Sequence, residues 1–466
     1  MTNKRFSSLL RGGKKTFGQV TSSVSEATTD ASNHASKQKL KIPDDELRGI
    51  QVLPEYLAVK DLINENFPLI FVTGGAGTGK STFIRWLDNE FKGKTLICAP
   101  TGIAALTISG KTIHSLCRFP PSWIVESDIK LYPKSLAKHA KILIIDEVSM
   151  VDANVLDSIN KFFQVNRNSK KPFGGITVVM VGDLFQLPPI VTNVTRPLFS
   201  ATYRSPKFFA AHAISESKFH AIILTKAFRQ TDQLFVDLLA NIREGKNLKS
   251  TLNTFNTTCK ITNEPPEGAI WLAPRHIDVD RVNDERLKKL PGKVHVFDGV
   301  ITGKFSEKQL PVPNKIELKI GAQVLIAKNS SKYVNGDVAT VTEISSDRIK
   351  AMLASTKKVV EVPMNIWEQF DYKFNEETGA IERVVIGTYR QLPAVLAWAI
   401  TIHKSQGLTL DRVHLDLGQG AFESGQTYVA LSRCRSLETL TLSKAIQSSD
   451  IKVDPESTVF YSEIKK

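Results

Sequence analysis

Short apolar runs alternate with amphipathic stretches through most of the chain. Leu69-Ile70-Phe71-Val72 is an apolar run of strand length, closed by glycines and followed by Ile84 and Leu87 at helical spacing. Leu96-Ile97-Cys98, Ile142-Leu143-Ile144-Ile145 and Ile176 to Val181 have the same unbroken apolar texture. Strands read this way when helices cover both faces of a sheet. Between the last two runs, Val155, Leu156, Ile159, Phe162 and Phe163 mark one face of a helix, with Asp152 placed to cap it. A further helix is predicted at Leu234, Phe235, Leu238, Leu239 and Ile242. Strand and helix in this alternation predict an α/β fold with parallel sheets.

From about Lys293 the period changes. Short β-type runs at 323–327, 338–341, 359–362 and 384–386 are separated by turn signals such as Asn335-Gly336, which predicts a β-rich insertion. The α/β texture returns at Val395, where Ala397 to Ile402 lead into a polar motif. Residues 1–45 show no apolar periodicity and are expected to form a disordered basic tail. The first 25 of them lack acids, a composition shared with organelle transit peptides, so that reading stays open. The expected organisation is a first α/β domain at 46–220 and a second at 221–300 and 391–466. The β-rich insertion occupies 301–390.

At 466 residues the chain exceeds what one core usually holds. Its net charge of +14 points to a polyanionic partner, since Lys and Arg that neutralise phosphates release condensed counterions. Part of that charge is tail, because residues 1–43 carry eight Lys or Arg against two acids. The four cysteines are scattered without a CxxC pair. That spacing speaks against a zinc site and suits a reducing, intracellular compartment. No run reaches the ~18 apolar residues a membrane helix needs, so no membrane partner is expected.

Gly74-Gly75-Ala76-Gly77-Thr78-Gly79-Lys80-Ser81, with Thr82 next, matches the P-loop pattern between a predicted strand and helix. Its glycines let backbone N–H groups turn inward around phosphate, aided by the positive end of the helix. Lys80 is expected to reach the β- and γ-phosphates of ATP, and the Ser81 hydroxyl to ligate Mg²⁺. Asp146 and Glu147 close the run that begins at Ile142. Beside a P-loop they divide the labour: Asp146 holds Mg²⁺ through water, and Glu147 orients and deprotonates the attacking water. Gln186, in Gly182-Asp183-Leu184-Phe185-Gln186-Leu187-Pro188-Pro189, both donates and accepts, so it is a candidate γ-phosphate sensor.

In order and spacing these segments resemble superfamily 1 helicases of the Pif (petite integration frequency) type, in the RecD-related branch. The resemblance runs from Ala-Pro-Thr-Gly-Ile-Ala-Ala at 99–105 and Thr-Ile-His-Ser at 112–115 through Asp-Glu-Val-Ser-Met at 146–150. It continues in Ala-Phe-Arg-Gln at 227–230, His-Lys-Ser-Gln-Gly at 403–407 and Tyr-Val-Ala-Leu-Ser-Arg at 428–433. Pro172-Phe173-Gly174-Gly175-Ile176 is similar to a Pif signature. The family implies two tandem RecA-like domains with a nucleotide cleft between them, and an ATP-dependent DNA helicase moving 5′ to 3′ on single-stranded DNA. The alternative is a translocase that remodels nucleoprotein without parting strands.

Arg229 and Arg433 match the family's two arginines that reach across the cleft. Thr101, His114, Phe185 and His403 lie in segments that resemble its DNA contacts, although Phe185 is equally readable as core packing. A wedge is implied at about 118–138, as a small hairpin or loop containing Trp123 and Tyr132, and the β-rich insertion resembles a small SH3-like barrel. The expected partners are single-stranded and forked DNA, with other replication or repair proteins possible, on a chain expected to be monomeric. Repair, recombination, replication and telomere maintenance are all compatible pathways. One departure stands out: where the family carries an adenine-reading Gln, this chain reads Leu53-Pro54-Glu55-Tyr56, with Gln51 nearby but out of register. Tyr56 is therefore expected to stack on adenine, with looser choice between ATP and GTP.

Overall fold

The first sheet is built from the apolar runs. Its strands are β1 (Leu69–Gly74), β2 (Thr95–Ala99), β3 (Lys111–Thr112), β4 (Ile142–Ile145), β5 (Thr177–Gly182) and β6 (Phe219–Leu224). They lie in the order β3-β2-β4-β5-β1-β6, and every pairing is parallel. The computed structural model describes residues 50–466 apart from Lys134, Thr231, Lys308 and Gln309, so the basic tail expected at 1–45 lies outside the described residues.

The unbroken runs follow from a sheet buried on both faces. Leu69 and Phe71 of β1 enter one apolar cluster while Ile70 and Val72 enter another, and β4 divides Leu143 and Ile145 from Ile142 and Ile144 in the same way. At about 1.5–3 kcal/mol per fully enclosed side chain, both faces contribute. The helix Ala153–Arg167 starts where expected, with the Asp152 side chain accepting from the Val155 N–H. Such a cap stabilises a helix by about 1 kcal/mol.

The second sheet is also parallel. It comprises Ala399–Thr401, Ile270–Ala273, Val413–Leu415, Leu440–Leu442 and Lys260–Ile261 in that order. One apolar cluster runs unbroken from the first sheet into this one. The β-rich part has its own cluster around Val324, Val341 and Tyr389. Its longest feature is a hairpin of Asn365–Asn375 and Ala380–Gln391. The hairpin reaches back to the first domain, where Lys111 pairs with Asp371 at 2.7 Å and Arg383 with Asp88 at 2.9 Å.

Two placements could not be read from chain order. The last helix, Pro455–Ile464, follows the second sheet in sequence yet packs on the first. Phe460 stacks on Phe209 with ring centroids 4.5 Å apart, and Lys207 bridges Asp454 at 2.8 Å and Glu456 at 2.6 Å. The interval 118–138 forms 3-10 turns at Glu126–Asp128 and Leu136–Lys138, with no strand among its described residues. It is a loop held by two asparagines of the helix beneath. Asn154 both accepts from and donates to the Ile124 backbone, and Asn166 does the same for Tyr132 and Lys130. Trp123 stands edge-on to Phe199 at 4.9 Å, which fixes its place in the loop. Among the described residues no helix is long and apolar enough to cross a membrane.

Candidate nucleotide site between two lobes

The loop between β1 and the helix Lys80–Glu90 takes the shape its glycines allow. Gly77 and Gly79 have φ of 81° and 84°, where an L side chain is strained. Space decides as well, since a Cβ on Gly77 would lie 2.7 Å from the Cβ of Arg229. The segment after β6 is thus seated directly on the loop, and the Phe228 N–H donates to the Gly77 carbonyl at 2.8 Å. The Lys80 ammonium donates to the carbonyls of Gly74 and Gly75, both at 2.9 Å. Burial lowers the Lys80 pKa, opposed by the negative charges of Asp183, Glu147 and Asp146. Ser81 is exposed at the start of the helix, Thr82 is half-buried, and the Thr78 hydroxyl closes the turn on the Gly75 carbonyl at 2.9 Å.

Asp146 and Glu147 sit at the carboxyl end of β4. The Asp146 carboxylate accepts from the Glu147 N–H at 2.8 Å. Burial raises the pKa of both, and for Asp146 the neighbouring Glu147 charge adds to it. Glu147 also has φ of 47°, and its Oε2 is enclosed without a hydrogen-bond partner. A strained backbone and an unpaired carboxylate oxygen are costly, at about 1–3 kcal/mol for the backbone alone. Their meeting at one residue marks Glu147 as a group held ready for a proton. Glu147→Gln removes the enclosed charge, so a higher thermal unfolding midpoint is expected. Phosphate release from a nucleoside triphosphate should fall by about 10²–10⁴-fold, the usual contribution of a positioned base. A variant that keeps wild-type turnover would remove Glu147 from that role.

The two arginines come to the same cleft from different segments. Arg229 donates to the Ser432 carbonyl at 3.1 Å and rests against Gly77. Arg433 is 1% exposed and bonds the carbonyls of Val429, Ser405 and Leu408 and the Ser432 hydroxyl. Burial, and then the Arg229 guanidinium beside it, pull the Arg433 pKa down to about 9. The Arg229 and Arg433 guanidiniums repel one another, and Arg243 repels the Lys80 ammonium. An anion of high charge between them relieves that repulsion, which is the fit a triphosphate provides. Gln186 is buried nearby, its amide 3.5 Å from the Asp183 carboxylate and so only loosely held.

Two expected contacts are corrected. Tyr56 is 1% exposed, with Phe83 at 5.0 Å and Trp86 at 5.4 Å against its ring, so no face is open for adenine. Its hydroxyl instead donates to the Gly79 carbonyl at 3.2 Å and braces the loop. Phe185 is 4% exposed, with Arg243 over its ring at 4.4 Å and Tyr461 edge-on at 5.1 Å, so in this arrangement it packs in the core. The other candidates lie nearer the surface. Thr101 is half-buried and caps the helix Gly102–Thr107. His114 is half-buried, which lowers its pKa and keeps it neutral, and His403 lies 3.3 Å from Glu423.

Residues not singled out in the sequence complete the site. Phe228 is 46% exposed, and a Cβ on Gly79 would lie 3.4 Å from its ring, which makes it the open aromatic face beside the loop. Lys226, 5.3 Å from that ring, donates to Gln51 at 2.7 Å. Asp183, Arg243 and Tyr428 form a buried network behind the loop: Arg243 lies 2.9 Å from Asp183, which accepts from the Tyr428 hydroxyl at 3.0 Å. Arg243 had a legible signal, since it falls four residues after Leu239 on the apolar face of its helix.

The chain is similar to known proteins in sequence and fold. A profile of the PIF1-like helicases matches residues 55–253. The ATP-dependent DNA helicase Pif1 of Bdellovibrio bacteriovorus is 32% identical over 89% of this chain and 93% of its own length. The chain spans 63% and 61% of the length of the Emericella nidulans and human helicases it matches, each at 32% identity. The crystal structure of Bacteroides sp. Pif1 in complex with ADP-AlF4 superposes with a TM-score of 0.83 at 33% identity, covering 89% of this chain and 97% of that one. Bacteroides Pif1 bound to single-stranded DNA gives 0.63 at 34% identity, covering 89% and 96%.

Proposed function

The chain belongs to the PIF1-like helicase family, and on that premise we propose that it is an ATP-dependent DNA helicase moving 5′ to 3′ along a single strand. The observation that carries this reading is the seating of Arg229 on the P-loop glycine Gly77, with Lys80, Glu147 and Arg433 around the same cleft. Groups from both lobes then hold one triphosphate, so binding closes the cleft and hydrolysis relaxes it. That alternation is what a stepping motor requires.

Each residue has a task its surroundings support. Lys80 and the two arginines offset phosphate charge as the bond to the terminal phosphoryl group breaks. Glu147, whose raised pKa favours proton uptake, receives the proton of the attacking water. The exposed Ser81 hydroxyl and the Asp146 carboxylate are the groups that would hold Mg²⁺. When bound, Mg²⁺ supplies further neutralisation of phosphate charge. Phe228 rather than Tyr56 offers adenine a ring, and an open face of this kind discriminates weakly between purines.

DNA as the track is supported by the net charge of +14 and by the DNA-bound Bacteroides relative. Thr101 and His403 offer sequence-independent contacts to phosphate and sugar. The loop at 118–138, held by Asn154 and Asn166, is the candidate wedge. Four cysteines, all buried and unpaired, support a reducing compartment. Unwinding of labelled duplexes with a single-stranded tail on one side tests the assignment. Substrates with a 5′ tail are expected to be opened and those with a 3′ tail left paired; equal opening of both would contradict the direction.

A further inference from the structure

We propose that Tyr428 is a positioning residue that ties the phosphate end of the P-loop to the segment after β5, so that nucleotide and DNA compete with one shared set of internal bonds. The inference rests on the helicase reading and deepens it. Tyr428 lies on the buried helix Gln426–Leu431 of the second lobe, yet its hydroxyl is spent on the first. It accepts from the Ala76 N–H at 2.7 Å and donates to the Asp183 carboxylate at 3.0 Å. Burial and the Asp183 charge raise the phenol pKa, so the proton needed for that donation stays in place.

Asp183 passes the contact on. It is fully buried and bonded to Arg243 through Nε at 3.0 Å, with Nη2 at 2.9 Å. The Arg243 guanidinium lies over two rings, Phe185 at 4.4 Å and Tyr461 at 4.7 Å, which themselves meet edge-on at 5.1 Å. Phe185 belongs to the segment expected to face DNA. A continuous set of bonds and stacked groups therefore joins Ala76 in the P-loop to Phe185, through residues of both lobes.

The competition follows from hydrogen-bond strength. Ala76 has one N–H, and P-loop amides of this kind turn toward phosphate. A charged phosphate oxygen is a stronger acceptor than a neutral phenol, roughly twice as strong. A triphosphate that takes the Ala76 N–H releases Tyr428 and loosens the hold on Asp183 and Arg243. Phe185, Gln186, Arg243 and Tyr428 line a cavity of about 20 Å³, room for about one water molecule to take up the freed hydroxyl. Coupling is reciprocal. DNA that draws Phe185 out of its stack weakens the Tyr428–Ala76 bond and favours ATP.

The test compares the KM for ATP with and without a saturating oligothymidylate, in wild type and Tyr428→Phe. Phenylalanine keeps the ring packing and removes only the hydroxyl. In wild type the oligonucleotide is expected to lower KM by about five-fold or more, the lower end of ordinary coupling between sites. In Tyr428→Phe the KM without DNA should already be low, and the DNA-dependent change should vanish while turnover at saturating ATP persists. A purely structural role would not separate KM from kcat in this way. If Tyr428→Phe unfolds, Arg243→Lys decides, because it keeps the charge opposite Asp183 but loses the stacked plane; it too should lose the DNA-dependent change. Retention of the full change in KM by a folded variant overturns the proposal. If wild-type turnover itself ignored DNA, the helicase reading would fail, and not this inference alone.

Discussion

Replacing Lys80 by alanine is expected to cut ATP hydrolysis by about 10²–10³-fold or more and to abolish unwinding, the range seen when one group that stabilises developing negative charge is lost. The Lys80 ammonium is held at the P-loop by the carbonyls of Gly74 and Gly75. It is also the cation set against three buried carboxylates, Asp183, Glu147 and Asp146. Without it, a polyphosphate entering the loop meets those carboxylates with less compensation, so binding and hydrolysis weaken together. Phosphate release and strand separation measured on the same preparation check this. Turnover within ten-fold of wild type would place the phosphate site elsewhere.

The second large effect belongs to Arg229. Arg229→Ala is expected to lower kcat by about 10³-fold, as removal of an arginine finger does, while KM for ATP changes little. That loss corresponds to about 4 kcal/mol of transition-state stabilisation. Arg229 gives a cleaner result than Arg433 because, among the described residues, its side chain bonds protein only at the Ser432 carbonyl. Removing Arg433 takes one donor each from the carbonyls of Val429, Ser405 and Leu408, so its loss mixes stability with catalysis. Steady-state kinetics beside a thermal unfolding midpoint separate the two. An Arg229→Ala enzyme with unchanged kcat would show that no charge crosses the cleft from this side.

The candidate nucleotide site is legible in the sequence because its residues are close along the chain. Eight consecutive residues make the P-loop, and Asp146 and Glu147 are neighbours at a strand end. The strands of the first sheet were legible for another reason: burial on both faces leaves unbroken apolar runs, as in Ile142–Ile145. What escaped was decided by contacts distant along the chain. Tyr56 stood where an adenine contact was expected, but Phe83 and Trp86 cover its ring. Phe185 could be read as DNA platform or core, and its burial against Arg243 and Tyr461 comes from residues distant along the chain. The final helix gave no hint that Phe460 would settle on Phe209 in the other lobe. The interval 118–138 became a loop because Asn154 and Asn166 take up its backbone groups, leaving them unavailable for a strand ladder.

The measurement closest to the central claim is phosphate release from ATP by the purified chain with and without a single-stranded oligonucleotide. A cleft whose two lobes are moved by one triphosphate and pulled by one strand must hydrolyse faster when the strand is present, so stimulation of at least ten-fold is expected. Equal rates with and without oligonucleotide would mean that the cleft and the strand are not linked, and the motor account would not stand.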